Sequence, residues 1–206
     1  IIRMAPERYE ITVFGSEPRP NYNRILLSEV LHGDRSFDDI VLHPLTWYEQ
    51  HGMKLFMGET VTLIDSASRT VRTASGLNVG YDVLIVATGS VPYIPPIPGS
   101  DKKGVIAFRT FEDCERMTEY AQRYRKAAVI GGGLLGLEAA RGLVQLGMDT
   151  HVVHNALYLM NRQLDEMAAG LLRRELEEQG MRFALNRNTI RVTGTHRAQG
   201  LRFEDG

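Results

Sequence analysis

The pattern of hydrophobic and polar positions changes character about halfway along the chain. In the first half, short alternating runs dominate. Tyr9-Glu-Ile-Thr-Val-Phe14 alternates and is β-branched, so it predicts a strand, broken by Gly15-Ser16-Glu17-Pro18-Arg19-Pro20. Residues 24–31 have helical character, and residues 44–51 predict a short helix with proline in its first turn. Strands are expected at 55–57, 60–64, 70–73 and 83–86, separated by turn signals at Asp65-Ser66 and Ser75-Gly76. The last of them, Val83-Leu-Ile-Val-Ala87, is continuously apolar, the pattern of a strand buried on both faces.

The second half alternates between strand and helix. Helices are expected at 111–125, at 134–146 up to Gly147, and at 164–179 up to Gly180. The last is amphipathic, with Leu171, Leu172 and Leu176 on one side. Strands are expected at 127–130, 150–153 and 181–184, with weaker ones near 189–193 and 201–203. Helices between apolar strands imply βαβ units and a parallel sheet. Between the halves lies Val91-Pro-Tyr-Ile-Pro-Pro-Ile-Pro-Gly99, with four prolines in nine residues. Such a stretch is extended and stiff, and marks the crossover between domains.

Composition narrows the function classes. The 206 residues are 43% hydrophobic and 24% charged, as in a globular protein with a sizeable core. Lys and Arg total 24 against 25 Asp and Glu, for a net charge of -1. That balance argues against binding to a nucleic acid backbone, which needs a basic face. The single Cys114 excludes an intramolecular disulfide, a redox cysteine pair and a multi-cysteine metal or iron–sulfur site within these residues. His151 and His154 lie three apart on a strand and point to opposite faces, the other histidines are scattered, and no metal site is expected. No apolar run is long enough for a membrane span, and no leader pattern is visible, so a cytoplasmic location is expected. The start at Ile1 and the hairpin signal Asp205-Gly206 at the end are read as a slice of a longer protein.

The strongest motif is Val129-Ile130-Gly131-Gly132-Gly133-Leu134-Leu135-Gly136-Leu137-Glu138. It places G-x-G-x-x-G at Gly131, Gly133 and Gly136, between a predicted strand and a predicted helix, the context the motif requires. Gly131 permits the tight turn, Gly133 lets backbone approach a pyrophosphate, and Gly136 lets helix and strand pack closely. The helix N-terminus offers N–H groups and partial positive charge to the phosphates. The next strand should then end in a ribose-binding acid, but it ends at His154-Asn155. No arginine follows until Arg162, so the choice between NAD and NADP stays open, as does the role of His154: ribose contact or plain strand-end residue. A second, weaker signal is Ala87-Thr88-Gly89 after the apolar strand, where small residues permit close approach to a nucleotide or simply make a tight loop. Cys114, in a predicted helix, reads as a packing residue.

The Tyr-Asp-x-Leu-Ile-Val-Ala-Thr-Gly-Ser segment at 81–90, the proline-rich crossover, Arg109-Thr-Phe-Glu-Asp113 and the glycine loop together resemble the FAD-dependent pyridine-nucleotide reductases. Within that group, Asn21-Tyr-Asn-Arg-Ile-Leu-Leu-Ser28 and Leu159-Met-Asn-Arg-Gln-Leu-Asp165 resemble the large subunits of NAD(P)H-dependent nitrite reductases. The resemblance covers essentially the whole chain. It implies an α/β fold of two Rossmann-like domains of the glutathione reductase type, both incomplete, joined by a three-stranded β-meander crossover. The first, 1–104, would bind FAD but lacks its first strand and glycine-rich loop, with residues 1–6 as the tail of the following helix. The second, 105–206, would bind NAD(P)H and is cut short at its C-terminal side.

The resemblance also implies roles. Ser16 and Glu17 hold the FAD ribose, with Glu17 standing in for the acid usual at the position of Ser16. Arg24 and Arg109 lie beside the flavin, Val61 contacts the adenine, and Ala87, Thr88 and Gly89 line the FAD. Gly131, Gly133, Leu134, Leu135, Gly136 and His154 bind the nicotinamide dinucleotide, and Glu138 meets its nicotinamide end as the catalytic candidate. No cysteine lies between Asn21 and Gly33, where oxidases and disulfide reductases of the family carry theirs. Electrons are therefore expected to leave the flavin for iron–sulfur and siroheme centres in domains beyond these residues, which take nitrite to ammonia. A small nitrite reductase subunit and a homodimer are further expected partners. A stand-alone rubredoxin or ferredoxin reductase and a non-catalytic nucleotide-binding fragment are the competing expectations.

Overall fold

A computed structural model describes residues 2–5 and 8–206. The expected helix tail at 1–6 includes Ile1 and Pro6, which lie outside the described residues, and residues 2–4 form a turn. In chain order the elements are β1 (Thr12–Gly15), α1 (Leu27–His32), α2 (Leu45–Gln50), β2 (Lys54–Met57), β3 (Val61–Asp65), β4 (Thr70–Thr73) and β5 (Asn78–Gly80). They continue with α3 (Phe111–Arg123), β6 (Lys126–Ile130), α4 (Leu134–Gln145), β7 (Asp149–Val153), α5 (Glu166–Glu178), β8 (Arg182–Ala184), β9 (Thr189–Thr193) and β10 (Gly200–Phe203). Short 3-10 turns occupy Arg24–Leu26 and Asp38–Ile40. The chain folds into two compact units. One comprises Ile1–Asn23 and Asp38–Ser90, the other Arg24–Phe37 and Val91–Gly206.

In the first unit, β1 and β2 pair in parallel, Thr12 opposite Lys54 and Gly15 opposite Met57. Phe14 stacks on Phe56 across that pair, with centroids 5.1 Å apart, the aromatic cross-strand contact that favours this register. Pro44 is the N-cap of α2, its fixed φ leading the chain into the helix. A three-stranded antiparallel meander follows, in the order β3-β4-β5. Asp65 closes its first turn by accepting the backbone N–H groups of Ala67 and Ser68. The third strand of this meander, β5, was not expected from the sequence, whose Asn-Val-Gly is a poor strand former. Pairing with β4 imposes it, Val71 opposite Val79.

The expected strand at 83–86 does not form. Among the described residues it has no strand beside it, and its apolar side chains are exposed, Val83 at 71% and Ile85 at 68%. A strand is defined by its neighbour's hydrogen bonds, and an apolar run alone does not supply them.

In the second unit, β6, β7 and β8 form a parallel sheet with β7 in the middle, as βαβ connections through α4 and α5 require. Leu137, Ala140, Val152, Leu159 and Met181 form its buried core, with Leu172 and Leu176 of α5 packed against it. Leu171 departs from expectation: it is 58% exposed, because only one stripe of α5 faces the sheet. β9 and β10 make an antiparallel pair. Helix α1 packs on α4 at Gly142, where an added Cβ would lie 2.5 Å from Leu31 Cγ. A larger residue at 142 would push the two helices apart. Helix α3 starts with a capping box: Thr110 Oγ1 accepts from Asp113 N–H, and the Asp113 carboxylate accepts from Thr110 N–H.

Candidate dinucleotide site

The site in the second unit is assembled at the carboxyl end of β6. Gly131 follows directly, with φ +124°, a conformation that favours glycine, and its N–H donates to Val153 O at 2.8 Å. Gly133 is the N-cap of α4 and contributes no side chain, so the first N–H groups of the helix carry no side-chain cap. A Cβ at Gly133 would meet nothing within 4 Å: the space before the helix terminus is open, as a phosphate needs. A Cβ at Gly136 would instead lie 2.0 Å from Gly131 O. This is the close packing of helix on strand that the motif's third glycine allows. Leu134 and Leu135, the first residues of α4, are exposed, so they leave the terminus open. The donors, the open cradle and the absent cap fit a pyrophosphate.

Glu138 lies on α4 between buried Leu137 and buried Ala139, and partial burial pushes its carboxyl above the usual carboxylate range. His154 lies just past β7. Its N–H donates to Ala184 O at 3.0 Å, its carbonyl accepts from Arg187 N–H at 3.0 Å, and its Nε2 is 3.2 Å from Asn161 Oδ1. The ring abuts the loop: a Cβ at Gly132 would be 2.9 Å from His154 Cγ and 2.8 Å from Leu159 Cδ2. Met160 N–H donates to Gly132 O at 2.9 Å and ties the segment after β7 to the glycine loop. Gly132, Leu159 and Asn161 therefore adjoin the candidate site and were not anticipated. The triple glycine at 131–133 was the available signal for Gly132, whereas Asn161 is seven residues from His154 and carries no local signature.

Arg24 and Arg109 meet in the second unit as well. Arg24 Nη1 donates to Arg109 O at 3.1 Å, and Arg109 N–H donates to the Asp113 carboxylate at 3.0 Å. The capping box of α3 thus fixes the backbone that Arg24 holds. His32, at the end of α1, has its Nε2 buried without a hydrogen-bond partner among the described residues. Burial holds its pKa below the ordinary histidine value, opposed in part by Asp34, 3.9 Å from Nδ1, and by the Glu138 carbonyl. Cys114 is buried in α3, its thiol 3.7 Å from Leu27 O, and burial pushes its pKa up to about 12.

The remaining expected residues lie in the first unit. Ser16 and Glu17 follow the carboxyl end of β1, where parallel strands present ligands. Tyr22 Oη donates to the Glu17 carboxylate at 2.6 Å. Val61 opens β3, and Ala87, Thr88 and Gly89 are exposed and lie outside helices and strands, Gly89 with φ +71°. Among the described residues no group of three or more His, Cys, Asp or Glu side chains is arranged to hold a metal ion. No helix of the described residues is long and apolar enough to cross a membrane.

The chain is 54% identical over all 206 residues to a nitrite reductase [NAD(P)H] of Bacillus subtilis, of which it spans 26%. It is 52% identical, again over its whole length, to an assimilatory nitrate reductase electron transfer subunit of the same organism, spanning 27%. The chain thus covers about a quarter of the length of these relatives. Among solved structures, an NAD-dependent persulfide reductase from A. fulgidus matches all of this chain and 40% of its own, with a TM-score of 0.92 at 25% identity. The family model for pyridine nucleotide-disulphide oxidoreductases matches residues 1–206, and the chain belongs to that family.

Proposed function

We propose that the chain is the electron-input module of an NAD(P)H-dependent nitrite reductase. The observation that carries this reading is the uncapped N-terminus of α4 behind an open glycine cradle, in a chain 54% identical to such an enzyme. Residues 105–206 bind the nicotinamide dinucleotide and residues 1–104 take part in binding FAD. Gly131, Gly133 and Gly136 shape the phosphate cradle, and the N–H groups of Leu134 and Leu135 bind its charge. His154 meets the adenosine ribose, and Glu138, whose carboxyl burial pushes above the usual carboxylate range, faces the nicotinamide end. Ser16 and Glu17 hold the FAD ribose, Val61 its adenine, and Ala87, Thr88 and Gly89 its length, while Arg24, steadied on Arg109, holds the flavin side. FAD, when bound, accepts a hydride and returns electrons singly. Iron–sulfur and siroheme centres, held in further domains, would supply the chemistry for reducing nitrite to ammonia, in the cytoplasm, with a small subunit as a further partner.

A visible absorption spectrum of the purified intact protein tests this. Flavin bands that bleach on anaerobic addition of NADH or NADPH, and return on addition of nitrite, are expected. A protein that holds no flavin, or whose flavin no reduced nicotinamide bleaches, refutes the reading. The nearly equal similarity to a nitrate reductase electron transfer subunit favours a second reading, delivery of electrons to a separate nitrate reductase. Reoxidation only in the presence of such a partner and nitrate, with no response to nitrite, would select it.

A further inference from the structure

The segment from Arg182 to Phe203 carries Arg182, Arg187, Arg191, His196, Arg197 and Arg202 and no acid, in a chain whose net charge is -1. The structure sorts these cations. Arg182 lies 3.4 Å from Asp149, and Arg187 pairs with Asp205. Arg191 of β9 and Arg202 of β10 stand directly opposite each other in the antiparallel pair, beside a register shift between Arg202 and Phe203. Both are exposed, and among the described residues neither side chain has an ion pair or hydrogen bond. The other face of the pair is the packed one: Val192 is buried, and Leu201 and Phe203 are half-buried. Like charges in directly opposed positions repel, so the two arginines weaken the sheet that holds them.

The crossover extends the charge. Ala198 N–H donates to Lys103 O at 2.9 Å, Lys103 bridges to Arg197, and Lys102 Nζ donates to Thr195 O at 3.4 Å. Lys103, His196 and Arg197 are exposed. The Arg197 guanidinium lies over the Tyr124 ring, 4.3 Å from its centroid, which orders the side chain and leaves its charge unpaired. Acids border the patch: Asp101 precedes the two lysines, and Glu204, held by Asn188 Nδ2 at 3.0 Å, and Asp205 follow β10. That border repels a long polyanion and fits a limited acidic surface. The next pair on the arginine face is Thr193 and Gly200. The face therefore suits a transient, polar contact between separate proteins and not a permanent, apolar one.

We propose that the exposed face of the β9–β10 pair docks the acidic surface of a separate partner protein, with Arg191 and Arg202 each receiving a carboxylate. A guanidinium forks onto a carboxylate, and the surrounding cations speed the encounter. Fluorescence anisotropy of the intact protein with a labelled peptide of alternating Glu and Gly tests this. Binding is expected, and it should weaken steeply between about 0.01 and 0.15 M salt. Arg191→Glu and Arg202→Glu should each weaken it by about 5- to 20-fold at low salt. Arg174→Glu, an equal change of net charge on α5, should leave it within about twofold. Because Arg191→Glu sets an acid opposite Arg202, its melting temperature should hold or rise by about 1–4 °C, which separates lost docking from lost folding. Arg191→Gln removes the charge without a new pair and should weaken binding by about 3- to 10-fold. A parent that does not bind the peptide overturns the proposal. So does a series in which Arg174→Glu weakens binding as much as Arg191→Glu and Arg191→Gln do. A single-stranded oligonucleotide of equal charge that binds more tightly than the peptide, and loses affinity in the same variants, overturns it as well.

Discussion

Replacing Gly136 with alanine adds one methyl group where the structure has no room. The new Cβ would lie 2.0 Å from Gly131 O and 3.0 Å from Gly131 C, and both are backbone atoms. An ordinary contact needs well over 3 Å, so loop and helix must separate by about 1 Å. The carbonyl cannot swing away freely, because Gly131 has φ +124° and its N–H is held by Val153 O at 2.8 Å. The helix cannot retreat freely either, because Leu137, Ala139, Ala140 and Leu143 are buried beneath it. Overpacking of this kind costs about 1–3 kcal/mol. In a protein of this size that lowers the melting temperature by about 2–4 °C per kcal/mol. The cradle is displaced with the loop, so ADP-ribose affinity should fall by about 5- to 150-fold. Gly133→Ala is the internal contrast. Its Cβ meets nothing within 4 Å and its φ is -90°, so the melting temperature should hold while the methyl group fills the phosphate space and affinity falls. Thermal melts and calorimetric titrations of both variants decide. A Gly136→Ala protein with the parent's melting temperature and affinity would refute the close-packing argument.

Other variants probe the surroundings. Leu159→Ala empties a fully buried position that also touches the glycine loop, and should cost about 2–5 kcal/mol in a denaturant titration. Gly99→Ala combines φ +87° with a Cβ 2.3 Å from Val192 O, and should destabilise by about 2–4 kcal/mol in the same assay; a neutral result would show that the turn relaxes. Burial lowers the pKa of His32 below its ordinary value of 6.5, so the unfolded chain binds more protons than the native one in that window. Stability should therefore be full above about pH 6.5 and fall as pH drops toward the lowered value. Denaturant melts across that range should show His32→Gln flattening the fall. Cys114, with its thiol pushed up to about 12, should resist alkylation near neutral pH until the protein is unfolded; labelling at the rate of a free thiol would contradict its burial.

The strand, glycine loop and helix at 126–145 were legible because their requirements are local. Strand, glycine spacing and helix follow one another within residues 126–145, and each glycine answers a backbone need. What was not legible depends on partners far along the chain. The strand β5 exists through pairing with β4, against the propensity of its own residues. The apolar run at 83–86 met every local criterion for a strand and forms none, because periodicity describes a face and pairing needs a neighbour. His154 was placed correctly at the end of β7, but its setting against Gly132 and Asn161 comes from a segment folding back on the loop. Leu171 was assigned to the packed side of α5 because three leucines lie close together; the observed stripe contains only Leu172 and Leu176.

Residues 24–37 belong to the second unit although residues of the first flank them on both sides. The chain therefore changes unit after residues 23, 37 and 90. No single cut yields either unit whole. A fragment beginning at residue 91 would leave behind α1, and with it the Leu31 side chain that covers Gly142 and the Leu27 carbonyl beside Cys114. Limited proteolysis between the units should thus release pieces that stay associated, and expression of the nucleotide cradle by itself should require residues 24–37 to be supplied, in cis or as a second peptide.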